Sequence, residues 1–159
     1  MPTLLLLRHA QAGEQAPTDA QRPLTSWGRE QARQVAIGLA NRELIPDVVL
    51  CSSAERTWQT WQTIEQELPL QPEVKVLTDL YQATPETVYQ YVSQQHANVV
   101  LVVGHEPIMS TTAAMYAAEE SDPAAVLSVG MGMPTANMAV IKLEDLTERA
   151  GVLTEVMRV

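Results

Sequence analysis

Three places in the chain carry side chains suited to holding an anion: Arg8-His9, Arg56 and His105. A guanidinium is a planar fork that matches phosphate oxygens bidentately. Near a protein surface, an ion pair at ~4 Å is worth about 4 kcal/mol before desolvation. Several such contacts on one phosphate would outweigh an acidic charge spread over the whole chain. Each residue also has a plainer reading. Arg8-His9 could be a solvated pair after a core strand, Arg56 a surface arginine and His105 a helix cap.

The elements around these residues favour the first reading. Thr3-Leu4-Leu5-Leu6-Leu7 is an apolar run that suits a central strand covered on both faces, and it ends abruptly in Arg8-His9. That places both groups at a strand's C-terminal edge, where open parallel sheets bind ligands. Asp47 to Cys51 reads as a second strand, with Ser52-Ser53 as caps for a helix to about Leu68, so Arg56 falls in that helix's first turn. Asn98 to Val103 gives a further buried strand. Gly104-His105-Glu106-Pro107 then leads into a helix to about Ala117, with Pro107 suited to its first turn. Arg56 and His105 therefore both stand at helix N-termini, where anions are favoured.

Between these stretches, residues 10 to 25 lack periodicity and contain Gly13, Pro17 and Pro23, which predicts a long loop. Ser26 is placed to cap a helix through Asn41, with Ala32, Val35, Ala36, Leu39 and Ala40 on one face. Val74 to Leu77 reads as a short strand, and Pro85 opens a helix carrying Val88, Tyr91 and Val92. Residues 118 to 134 read as irregular. Ala136 to Leu143 and Val152 to Val159 read as strands of a hairpin. The pattern predicts one α/β domain over residues 1 to 159: a three-layer sandwich with helices on both faces of a mostly parallel, mixed sheet of about six strands.

Composition narrows the function. The chain has 159 residues, 46% of them apolar, and a net charge of -9. That charge argues against non-specific binding to nucleic acid or anionic membrane. A lone cysteine, Cys51, cannot form an internal disulfide, and no transmembrane-length run or targeting signal is present. A soluble, cytoplasmic monomer is expected. Cys51 in its apolar pattern reads as a small core residue, and His96 as an exposed residue near a helix end. No histidine pair has metal-ligand spacing, so no metal and no cofactor are expected. Met109, Met115, Met131, Met133 and Met138 read as gap fillers of the core.

Four motifs in order resemble the histidine phosphatase superfamily, of phosphoglycerate mutase-like fold. They are Leu7-Arg8-His9-Ala10, Arg22-Pro23-Leu24-Thr25-x-x-Gly28, Ser52-x-x-x-Arg56-x-x-Gln59-Thr60 and Val103-Gly104-His105-Glu106-Pro107. The short chain, Ala10 and Arg22-Pro23-Leu24 resemble in particular the phosphohistidine phosphatases of the SixA type. The resemblance implies that His9 is the nucleophile and that Arg8, Arg56 and His105 hold the phosphoryl oxygens, with Arg22 reaching back from its loop as a further ligand. It implies a phosphorylated histidine-containing protein as partner and substrate. Neighbouring guanidiniums fit this role, because they disfavour the protonated imidazole and only the neutral ring attacks.

The chain departs from the family at two points. Thr57 stands where relatives commonly have alanine. No carboxylate matches the acid that many relatives use to protonate an alkoxide, and Asp79 is the nearest candidate. A missing acid favours a phosphoramidate, whose imidazole leaves more readily than an alkoxide. The alternatives are a small-molecule phosphomonoesterase with the same nucleophile, and a catalytically silent module that binds phosphate or a phosphorylated partner.

Overall fold

Strands β1 (Thr3–Arg8), β2 (Val48–Ser52), β3 (Glu73–Leu77), β4 (Val99–Gly104), β5 (Met138–Lys142) and β6 (Val152–Met157) join in one sheet in the computed structural model, which describes all 159 residues. Their order is β3-β2-β4-β1-β5-β6. The first four in this order run parallel, while β5 pairs antiparallel with both β1 and β6. The expected hairpin is therefore present, and it forms one edge of the sheet.

The helices are α1 (Ser26–Asn41), α2 (Glu55–Gln66), α3 (Pro85–Ser93), α4 (Ile108–Tyr116) and α5 (Pro123–Gly130). Successive residues of a strand point to opposite faces, and the core divides accordingly. Leu5, Leu7, Val49, Cys51, Leu101 and Val103 pack with Ala32, Val35 and Leu39 of α1 and Trp61 and Ile64 of α2. Leu4, Leu6, Leu50, Val100 and Val102 pack with residues of α3, α4 and α5. This is why β1 reads as an unbroken leucine run: both faces of it are covered. Leu4, Leu5, Leu6 and Leu7 are all fully buried, and truncating any one to alanine should cost ~2–5 kcal/mol.

The ends of the elements differ in detail from the sequence reading. Residues 118 to 134 are not irregular throughout, because Asp122-Pro123 starts α5: the Asp122 side chain accepts from Ala125 N at 2.9 Å, and Pro123 fills the first turn. Thr25 rather than Ser26 caps α1, accepting from Gly28 N at 3.0 Å. Pro107 is the N-cap of α4 rather than its first helical residue. Helix α2 starts at Glu55 behind Ala54, with no side-chain cap. Ser52 belongs to β2 instead, and its hydroxyl is committed to His105.

The loop of residues 10 to 25 is anchored at both ends. Ala12 and Leu24 form an isolated antiparallel bridge, and Asp19–Gln21 make a 3-10 turn. Gly28 explains the close seat of the loop on α1: a Cβ there would lie 2.1 Å from Gln11 O. No helix is long and apolar enough to cross a membrane.

Candidate active site

Strand register brings the two histidines together. Arg8 pairs with Gly104 across β1 and β4, so His9 and His105, one residue further along, leave adjacent strand ends. His9 N donates to Gly104 O at 3.0 Å. The two rings lie 5.4 Å apart between centroids, at 58°. On the other side of β4, Cys51 pairs with Val103, and the next residue, Ser52, brings its Oγ within 2.8 Å of His105 Nε2.

His9 is 7% exposed. Its Nδ1 stands 2.7 Å from Ala10 O, and a carbonyl can only accept. The ring proton therefore sits on Nδ1, which leaves the Nε2 lone pair available. Burial is the main force lowering the His9 pKa, to about 4; Arg56, Arg8 and Arg22 add to it, and the Ala10 carbonyl opposes it. His105 is lowered further, to about 3, by burial first and then by His9 and Arg56. Both imidazoles are neutral at neutral pH, as a nucleophile requires.

Arg8 and Arg56 each rest Nη1 on a main-chain carbonyl, and Arg56 Nη2 also donates to Asp19 Oδ2 at 3.1 Å. Arg8 Nη1 donates to Met133 O at 3.0 Å, and Arg56 Nη1 to Asp19 O at 2.8 Å. In both side chains Nε is buried and has no hydrogen-bond partner. An unpartnered buried guanidinium N–H is costly unless something else accepts it. Nε shares one edge of the planar group with Nη2, so each arginine keeps a side-on fork open. Two such forks beside a neutral imidazole suit a tetrahedral oxyanion.

The motif residues that follow Arg56 position the loop rather than the anion. Thr60 Oγ1 accepts from Ala10 N at 3.0 Å and donates to Arg56 O at 2.7 Å, while Gln59 Oε1 accepts from Leu24 N at 2.9 Å. Thr57, the departure from alanine, is fully buried and donates to the carbonyls of Ser52 and Ala54. Cys51 is buried, which raises its pKa to about 12 and keeps the thiol protonated.

Arg22 also reaches this region. Its Nε donates to Gly13 O at 2.9 Å, and its Nη1 to Asp19 Oδ1 at 3.1 Å. Asp19 is the residue that sequence reasoning missed. Its carboxylate accepts from Arg22, Arg56 and Tyr81, and these bonds hold it well below the usual carboxylate range, the Tyr81 bond most strongly. Tyr81 in turn stands edge-on to His105, 5.6 Å between ring centroids. The spacing of Asp19 and Arg22, three residues apart, was the available signal, but the loop's 3-10 turn was not legible.

Glu106, a member of the motif Val103-Gly104-His105-Glu106-Pro107, supports Arg8. Its carboxylate accepts from Ser110 N, Ser110 Oγ and Met133 N, and so fixes the carbonyl of Met133 on which Arg8 rests. Arg8 and Glu106 also line an open groove of about 610 Å³ with Met131, Met133 and Arg158. Asp79 is directed elsewhere: Tyr91 of α3 donates to its carboxylate at 2.6 Å. No three His, Cys, Asp or Glu side chains gather as a metal-binding group.

Comparison with known proteins gives the family. The family model of the histidine phosphatase superfamily, branch 1, matches residues 4–81. An uncharacterised protein of Mycobacterium tuberculosis is 32% identical over 141 residues, spanning 86% of this chain and 87% of that protein. A candidate phosphohistidine phosphatase SixA from Agrobacterium tumefaciens superposes with a TM-score of 0.85 at 28% identity, covering 100% of this chain and 99% of that one. The protein histidine phosphatase SixA complexed with tungstate gives 0.83 at 25% identity, covering 98% and 96%. The chain thus belongs to the histidine phosphatase superfamily, and within it to the SixA type.

Proposed function

We propose that the protein is a phosphatase that removes the phosphoryl group from phosphohistidine in a protein, by way of a phosphohistidine formed on its own His9. One observation carries this reading: a buried, neutral His9 with a free Nε2 shares its pocket with two arginines whose buried Nε groups have no partner. The lone pair of Nε2 attacks phosphorus as the phosphorus–nitrogen bond of the substrate breaks. The substrate imidazole leaves with that electron pair and takes a proton. Water then attacks phosphorus as the phosphorus–Nε2 bond breaks; the bond's electron pair returns to Nε2, the water loses a proton, and phosphate departs, restoring His9. The forks of Arg8 and Arg56 hold the equatorial oxygens, where charge is spread in the transition state. His105 and Arg22 complete the ring of donors.

The absence of a free acid favours the phosphoramidate over an alkyl ester. The two carboxylates beside the arginines are both engaged as acceptors, Asp19 with Arg22, Arg56 and Tyr81, and Glu106 with Ser110 and Met133. An alkoxide needs a proton as it departs, whereas an imidazole leaves more readily. The test is a phosphohistidine peptide incubated with wild type and His9→Ala, with the protein quenched in alkali to preserve phosphohistidine. Label on the wild-type protein and none on His9→Ala is the expected result. Equal label on both would remove His9 from the reaction.

A further inference from the structure

Asp19 grips Arg56 at one end only. Its main-chain oxygen accepts from Nη1 at 2.8 Å, and its Oδ2 accepts from Nη2 at 3.1 Å. Both contacts fall on the Nη1–Nη2 end of the guanidinium. The side-on edge, Nε with the second hydrogen of Nη2, is left open, and Nε is buried without a partner. The same carboxylate accepts from Arg22 Nη1 and from the Tyr81 hydroxyl. One loop side chain therefore ties two arginines, the start of α2 and the residue beside His105 into one assembly.

Stability does not account for such an arrangement. The Asp19 side chain is 53% exposed against 8% for Arg56, and water at the exposed partner screens the pair, which holds its contribution to ~1 kcal/mol. Orientation does account for it. A long guanidinium side chain loses its rotational freedom before the oxyanion arrives, so that cost is not charged to binding or to the transition state.

We propose that Asp19 is a positioning residue for phosphoryl binding, clamping the Nη1–Nη2 end of Arg56 so that its Nε–Nη2 edge faces the phosphoryl oxygens. The proposal rests on the phosphatase reading above and deepens it. It also opposes a different role the same contacts would allow, in which the carboxylate occupies the arginines and competes with the oxyanion.

The experiment measures two quantities on the full chain: binding of tungstate by calorimetry, and kcat/KM on a phosphohistidine peptide. In Asp19→Ala, tungstate affinity should fall about tenfold and kcat/KM about a hundredfold, the scale of a misplaced catalytic group, with little change in Tm. Asp19→Asn keeps the main-chain contact and one acceptor, and should lie between; it also carries the test if the alanine variant folds poorly. The decisive readout is a cycle with Arg56→Met, which keeps the buried stem. Because Asp19 acts chiefly through Arg56, adding Asp19→Ala to that variant should lower either quantity by no more than about threefold, the part carried by its bond to Arg22. Additive losses would overturn the proposal. Tighter tungstate binding in either Asp19 variant would also overturn it, in favour of competition. A wild type that neither binds tungstate nor turns over any phosphorylated substrate would sink the phosphatase reading and the positioning role together.

Discussion

His9 and His105 stand 5.4 Å apart because the residues just before them, Arg8 and Gly104, are paired across neighbouring parallel strands. Burial is the first reason these imidazoles resist protonation, since a charged ring would lose its water; the arginines add to it for both, and His9 adds to it for His105. A pair of histidines is in this way kept neutral beside two arginines.

The first prediction concerns pH. Imidazole resonances of His9 and His105 should titrate near about 4 and about 3, with His9 as the Nδ1–H tautomer. The sign for stability follows from the direction of the shifts. As pH falls below ~6.5, the unfolded chain takes up protons that the folded chain refuses, so stability declines until the folded rings titrate as well. Nitrogen-15 spectra from about pH 2 to 8 would check this, and a midpoint near 6.5 for His9 would contradict a buried imidazole kept neutral.

The two arginines should be costly to replace. Arg8→Ala and Arg56→Ala are each expected to lower kcat by about 10²–10³, the cost of removing one aimed donor from a developing oxyanion. Lysine should rescue neither, because an ammonium cannot supply a side-on fork. Arg22→Ala should cost less, since Arg22 already donates to Gly13 O and Asp19 Oδ1 and is only partly buried. Steady-state kinetics with circular dichroism would separate lost chemistry from lost folding.

Glu106 is expected to matter twice. Its carboxylate accepts from Ser110 N in the first turn of α4 and from Met133 N beside the Arg8 anchor. Glu106→Ala should cost roughly 1 kcal/mol of stability, as losing a helix cap does. It should also weaken tungstate binding, because the Met133 carbonyl that holds Arg8 is released. Thermal unfolding and calorimetry on the same sample would test both halves; a loss of stability with unchanged tungstate affinity would leave Glu106 a cap alone.

Substrate choice offers the fourth prediction. A phosphohistidine peptide should be processed far faster than an alkyl phosphate, with an activated aryl phosphate between them, since only the alkoxide strictly requires a proton. Asp79→Asn should leave all three values of kcat/KM unchanged, because the Asp79 carboxylate is turned toward Tyr91. Preference for the alkyl ester, abolished by Asp79→Asn, would reverse the ranking and promote a phosphomonoesterase.

Much of this architecture was legible from local patterns. The leucine run ending in Arg8-His9, the strand before Gly104-His105 and the helix that carries Arg56 each announced themselves through hydrophobic periodicity broken by charge. Strand and helix types depend on nearby residues, and in β1 and β4 burial on both faces leaves an unmistakable apolar signature. Resemblance to a family added which of the resulting edges to propose as the site. The helix over residues 123 to 130 was overlooked although its signal was local, in Asp122-Pro123.

The contacts that orient the site were another matter. That Ser52 would bond His105 rather than cap α2, that Glu106 would hold the loop under Arg8, and that Asp19 would clamp Arg56 all depend on groups 27 to 53 residues apart meeting in space. Sequence determined the chemistry of the site, because side-chain identity sets what each group can donate, accept or attack with. Only the tertiary structure decided which edge of each arginine stays free, which nitrogen of His9 carries the proton and how far its pKa falls, because those depend on burial and on partners brought in by strand register and loop path.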